Sequence, residues 1–401
     1  MHVVWVVPNA HPNHRGWIAG LNQRGHRNSI ETVRLTGTKV GGWTDSLDVE
    51  IRLIAESRVS TFLRHRFPGR RDKGRRLFFP PIRDYLRSLD RLGADVVIVR
   101  PHSIPLLCLV SFHCRRRRIP LLVYELHDPR RSREWRNRRL PRRDRVQAIY
   151  GSLRLRFLGS VFGNGVMSPV LLSDIDDAER HASFIPFPAT PFADTREEIG
   201  PGVELVRPSD SGLKVLAVAR FMPRKHHVPL IEAIEALRDG GSDVTCVIVG
   251  QAAGKKEEAL LRAIRDRVDS SPHRRAIAVL ANLSADASLA QLYKDADVFT
   301  LPSEREPAGM AVVEAIGHAL PVIVSASCGT AGYVQHEQTG FHIEAGSKDA
   351  LERALGRLDR DQHELRRMAS ATAARRDADL SREIVAQRLE SRLLSALGRE
   401  H

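Results

Sequence analysis

Cysteine is scarce. The chain of 401 residues has four, Cys108, Cys114, Cys246 and Cys328, and no two form a CxxC pair. A disulfide framework or a structural zinc site needs more cysteines at closer spacing, so these read as reduced thiols of a cytosolic protein. The 17 histidines show no HExxH or Cys/His cluster, so no metal is expected. Three of the DxD triplets, Asp174–Asp176, Asp295–Asp297 and Asp377–Asp379, read as solvated charge. Long apolar runs are absent too. Nowhere do about 18 apolar residues follow one another, so no membrane-spanning helix is expected. The first residues, MHVVWVVPNAHPNHRG, lack a charged leader and a small-residue cleavage site, and read as a first core strand. With 42% hydrophobic and 27% charged residues, the composition excludes a disordered chain, a collagen and a coiled coil.

Acidic charge is short in one region only. The net charge is +14, from 62 Lys+Arg against 48 Asp+Glu. Residues 1–200 hold 35 basic and 20 acidic groups, and residues 201–401 hold 27 and 28. Residues 51–160 alone carry 28 basic and 9 acidic groups. Lysine is nearly missing there; Lys39 and Lys73 are the only two of the first half, and arginine supplies the rest. In residues 58–86, Phe62, Phe67, Phe78 and Phe79 are interleaved with arginines. The run from Arg130 to Arg145 leads into Val146, Tyr150, Leu153, Phe157 and Val161 at helical spacing. Two readings stand side by side: a solvated face with a core-packing helix, or a peripheral contact with an anionic membrane on its inner face. No RNP-like, zinc-finger or helix-turn-helix pattern supports nucleic acid as the partner.

Short apolar runs alternate with helical patterns along the chain. Val3–Val7, Val96–Val99, Leu121–Tyr124 and Gly165–Met167 predict buried strands, with helices over 14–24, 103–115 and 146–161. The alternation restarts with strands over 214–219, 243–250, 276–280, 297–301 and 321–324 and helices over 227–238 and 255–268. Such alternation predicts an α/β fold with parallel sheets covered on both faces. The expected organisation is a first Rossmann-like domain over 1–187, a proline-rich linker over 188–211, a second Rossmann-like domain over 212–375, and a helix over 376–401. Two doubly wound domains facing a cleft follow, with ligands at the carboxyl ends of the strands.

Two segments carry chemistry. In ADVFTLPSEREPAGMAVVEAIGHALPVIVS (296–325) a buried strand ends at Leu301, and a helix is expected to open near Pro307. Its N-terminus would present unpaired N–H groups, with Gly309 admitting a ligand close to the backbone. Glu306 in the loop and Glu314 two turns on would accept hydroxyl hydrogen bonds, as suits a sugar. In LAVARFMPRKHH (216–227) a strand runs into Arg220, and Lys225 follows five residues later. Two cations at a sheet's carboxyl edge can hold a diphosphate.

Together, Arg220 and Lys225, then Gly250 after VIV, then Glu306 and Glu314 resemble the retaining GT-B glycosyltransferases of the large family that includes sucrose synthases and bacterial mannosyltransferases, the group 1 enzymes. The resemblance covers residues 212–358 well and the first domain loosely. It implies a GT-B fold; whether the last helix stays with the second domain or returns to the first is left open by the sequence. It further implies retaining transfer of a hexosyl group from a nucleotide-diphosphate sugar to a sugar or lipid-linked acceptor, in polysaccharide or glycolipid assembly. Arg220 and Lys225 would hold the diphosphate. Glu306 and the backbone at Ala308, Gly309 and Met310 would hold the sugar, and Glu314 the ribose. His127 matches a histidine beside the transferred sugar. No cofactor or metal is implied beyond the donor substrate.

The chain departs from the family pattern in three places. The loop after the first strand, PNAHPNHRGW, has a single Gly16 where a Gly-Gly pair is usual, which leaves His11, His14 and Arg15 as acceptor-side candidates. Ala308 replaces an aromatic, and Phe187-Pro188 replaces Asn-Gly. These departures keep a second reading open, a catalytically inactive sugar-nucleotide or partner-binding protein on the same fold.

Overall fold

The structure, a computed structural model, describes residues 1–9, 12–34, 47–66, 78, 80–100, 104–124, 166–167, 169, 184–191, 212–283, 286–304, 306 and 308–398. It divides into two compact units. The first comprises Met1–Pro169, Ala178–Phe187 and Arg382–His401; the second comprises Val170–Asp177 and Pro188–Ser381.

Unit 1 holds a parallel sheet of β1 (His2–Asn9), β2 (Arg27–Arg34), β3 (Val49–Leu53), β4 (Val96–Val99), β5 (Leu121–Tyr124) and β6 (Val166–Met167), in the order β3-β2-β1-β4-β5-β6. Unit 2 repeats this plan with β7 (Lys214–Val218), β8 (Thr245–Gly250), β9 (Ile277–Ala281), β10 (Val298–Leu301), β11 (Val322–Ser325) and β12 (Gly340–Ile343), in the order β12-β11-β10-β7-β8-β9. Both are the doubly wound Rossmann order. The fold is α/β with two such domains, as the alternation predicts.

Strands buried on both faces need apolar side chains on both. In β1, Val4 and Val6 pack against Tyr85, Leu89 and Val110 of flanking helices, while Trp5 and Val7 point to the other face and are equally buried. Strands β2, β3 and β12 were not among those expected. In β2 the reason is chemical: Asn28, Ser29, Glu31 and Thr32 are all buried. Asn28 accepts from the Trp5 indole N–H at 2.9 Å, and Ser29 shares a 2.8 Å bond with His2. A strand that buries polar side chains leaves no apolar run to read.

The terminal helix begins at Arg382, not 376; residues Arg376–Leu380 form a π-helical turn that belongs to unit 2. Arg382–Ala396 packs on the Arg15–Gln23 helix of unit 1. A side chain at Gly20 would meet Ala386 Cβ at 2.6 Å, so the glycine permits the close approach. Glu390 then accepts from Arg24 Nε at 2.6 Å and lies 2.6 Å from His26 Nε2. The boundary falls at Phe187-Pro188. Phe187 stacks on Trp17 with centroids 4.9 Å apart. Ala189 N–H donates to Leu380 at 2.8 Å, so the start of the expected linker is seated in unit 2.

Candidate functional site

In a doubly wound sheet the ligand site lies at the carboxyl ends of the strands where the order reverses. In unit 2 that point is the β7–β10 pair. The loops leaving those strands carry Arg220, Lys225 and Glu306.

β7 runs into Arg220, whose Nη2 donates to Glu257 Oε1 at 2.5 Å. Glu257 Oε2 accepts the Ala253 N–H at 2.8 Å. The Ala253 bond, with that of Arg220, holds this carboxyl below the usual carboxylate range. Burial pushes the next imidazole, His227, down to about 4, and its Nε2 lies 3.3 Å from the Arg220 carbonyl. Lys225, on the Pro223–Lys225 turn, is buried and pairs with Glu306 Oε2. Arg224 Nη1 donates to the same oxygen at 2.6 Å. A carboxylate that is only 8% exposed is thus met by two cations. Removing one partner of a buried pair typically costs about 3–5 kcal/mol, because the other charge is stranded.

The loop after β10 is tied down along its length. Glu304 N–H donates to the Arg224 carbonyl at 2.8 Å, and Gly346 N–H to that of Pro302 at 3.0 Å. Ser325 and Ser327 donate to the Ser303 carbonyl. Gly329 N–H donates to the Glu306 carbonyl at 2.8 Å, and Thr330 Oγ1 to that of Gly309 at 3.3 Å. The segment after β11 is therefore a brace for the Glu306 loop.

Several expectations need correction. The helix opens at Met310 with Gly309 as its N-cap, a turn later than Pro307 suggests. Met310 N–H closes onto the Ala308 carbonyl at 3.0 Å. The space beside Gly309 is filled by protein: a Cβ there would lie 2.8 Å from Cys328 Sγ and 2.9 Å from Leu301. At Gly250 a Cβ would lie 1.9 Å from the Ala219 carbonyl oxygen, so that glycine lets adjacent strand ends meet. Glu314 is half-buried and accepts from the Tyr293 hydroxyl at 2.8 Å. His318 stacks on Tyr293 with centroids 5.3 Å apart.

In unit 1, His14 is buried between Trp5 and Tyr124, with ring centroids 6.0 and 5.9 Å away. Arg15 is exposed and Gly16 half-buried. His11, His127, Asp174–Asp176 and the basic run over 130–162 lie outside the described residues. Of the other DxD triplets, Asp297 accepts the Lys214 N–H at 2.8 Å, and Asp377 pairs with Arg376 at 2.8 Å. Among the described residues no group of three or more His, Cys, Asp or Glu gathers as a metal site would require. Sequence reading missed Arg224, Glu257, Tyr293 and the brace from Ser325 to Thr330.

The family pattern "Glycosyl transferases group 1" matches residues 207–376. Residues 207–376, the greater part of unit 2, are a group 1 glycosyl transferase domain. Curated relatives resemble the same region. Mannosylfructose-phosphate synthase of Agrobacterium fabrum is 27% identical over 161 residues, 37% of this chain and 35% of its own length. A GDP-mannose-dependent alpha-(1-6)-phosphatidylinositol monomannoside mannosyltransferase of Mycobacterium tuberculosis is 30% identical over 157 residues, 37% of this chain and 39% of its own. The chain therefore matches well under half the length of these relatives. Among solved structures, HepE of Anabaena in complex with UDP superposes with a TM-score of 0.68 at 14% identity, over 98% of this chain and all of that one. That likeness extends the GT-B fold from the glycosyl transferase domain to the whole chain.

Proposed function

We propose that the protein is a retaining glycosyltransferase. It transfers a hexosyl group from a nucleotide-diphosphate sugar to a sugar or lipid-linked acceptor in glycan or glycolipid assembly. One observation carries the reading: Arg220, held by Glu257, and the Lys225–Glu306 pair lie on the loops leaving β7 and β10, at the switch point of a domain that matches the group 1 glycosyl transferase pattern. The relatives' names and the UDP complex of HepE support a nucleotide-bound donor. On this reading the bond from sugar C1 to the diphosphate oxygen breaks, and a bond from C1 to the acceptor oxygen forms on the same face. The acceptor proton passes to the leaving diphosphate. Arg220 and Lys225 neutralise the charge that develops there, so no metal is required. Glu306 accepts hydroxyl bonds from the sugar, and Glu314, steadied by Tyr293, those of the ribose.

The acceptor is proposed to lie at an anionic bilayer. In support, the described part of unit 1 exposes Leu53, Val59, Phe62, Ile82 and Phe112 within or beside the basic stretch of residues 51–160. No described helix is long and apolar enough to cross a membrane. A second reading, donor binding without turnover, is favoured by the loop after β1, where His14 is buried against Trp5 and Tyr124.

A transfer assay with UDP- and GDP-sugars and lipid-linked acceptors, run in EDTA, separates the readings. Turnover should persist in EDTA, and Arg220→Ala and Lys225→Ala should each lower it by about a hundredfold. Near-normal rates in both variants contradict the assignment. Donor binding with no transfer to any acceptor supports the second reading.

A further inference from the structure

Arg220 is half exposed, with 52% of its side chain accessible. A diphosphate that recruits so mobile a cation from solvent must also order it. Here the ordering is built in. Nη2 is held by Glu257 Oε1, while Oε2 of the same carboxylate is fixed by the Ala253 N–H. Glu257 is 14% exposed and sits in the first turn of the Lys255–Asp269 helix. The loop that carries Ala253 is itself anchored on both sides. Ala252 N–H donates to Asn282 Oδ1 at 2.9 Å, and Phe221 N–H donates to the Gln251 carbonyl at 3.1 Å. Asn282 in turn donates its N–H to the Gly250 carbonyl at 2.9 Å. The loops leaving β7, β8 and β9 are thus cross-linked, and Glu257 is the strut that reaches Arg220. Its contact takes one edge of a guanidinium that carries five N–H donors, so the rest of the fork can face a ligand.

We propose that Glu257 is a positioning residue, which presents Arg220 to the donor diphosphate in a preordered orientation. The proposal rests on the donor-site reading above. It opposes the alternative in which Glu257 is a counter-ion that the diphosphate must displace.

Calorimetric titration of the full chain with UDP and with GDP tests it. Glu257→Ala should weaken binding about tenfold, and Glu257→Gln about threefold, since the amide keeps one acceptor oxygen, which can serve Arg220 or the Ala253 N–H but not both. In an Arg220→Ala background, Glu257→Ala should add less than about twofold, because one residue acts through the other. Glu257→Gln keeps the test alive if the alanine variant fails to fold. Unchanged or tighter binding by Glu257→Ala overturns the proposal. So does a tenfold loss that persists without Arg220, which would place the role of Glu257 in loop folding. If the wild-type protein binds neither UDP nor GDP, the donor-site reading fails and the proposal with it. If the wild type binds and Glu257 is silent, only the positioning role fails.

Discussion

Glu306 and Lys225 stand 81 positions apart and form one buried ion pair. Each was legible as part of a spacing motif, because spacing within one loop or helix survives in sequence. Their partners were not. Arg224 meets Glu306 across 82 positions, Arg220 meets Glu257 across 37, and Tyr293 meets Glu314 across 21. Such pairs exist only once the strands are ordered. Glu31 shows the same limit in unit 1. It lies on β2 and is buried, and its Oε1 has no hydrogen-bond partner. Burial raises its carboxyl to about 7, with Arg52 opposing and Glu50 adding to the rise. The folded state therefore holds a proton that the unfolded chain releases near its ordinary value. Between about pH 4.5 and 7 stability falls as pH rises, and above 7 the loss is complete. Glu31→Gln should raise stability at pH 8 by up to about 3 kcal/mol and leave it nearly unchanged at pH 4. Urea unfolding at the two pH values measures this; an equal effect at both contradicts the assignment.

Elements with apolar faces were readable, and elements with buried polar side chains were not. β4 and β5 match their expected bounds because every residue is apolar or aromatic. β2 hid behind Asn28, Ser29 and Glu31. The C-terminal helix was legible by period, but its start was not, since the π turn at Arg376–Leu380 continues the same pattern. The Arg58–Arg66 helix has a surface consequence. Val59 and Phe62 are 56% and 65% exposed beside Arg58. On the membrane reading Phe62 inserts at the headgroup boundary, where burying such a side chain contributes about 1.5–3 kcal/mol. Phe62→Asp should lower sedimentation with phosphatidylglycerol vesicles by about tenfold or more. Binding that does not change, or equal binding to phosphatidylcholine vesicles, contradicts the membrane contact.

At the scale of the molecule, two sheets of identical strand order serve different charges. The half with the glycosyl transferase domain is near neutral, and its cations face carboxylates of their own site. The other half carries the whole arginine excess. The fold was legible because alternating apolar runs and helical periods dictate doubly wound sheets. The residues proposed for the donor were legible because they follow the carboxyl ends of β7 and β10, the two strands of one switch point. The acceptor side was not, because its candidates divide between the buried His14, the exposed Arg15 and positions outside the described residues. On the proposed function, the β7–β10 edge of unit 2 binds a nucleotide-diphosphate sugar. Thermal or urea unfolding with a panel of UDP- and GDP-sugars tests it most directly. One donor at about 100 times its dissociation constant should stabilise the wild-type protein by about 2.7 kcal/mol, and the Arg220→Ala/Lys225→Ala double variant should show no such gain. No stabilisation by any sugar nucleotide, or the same gain in the double variant, would contradict it.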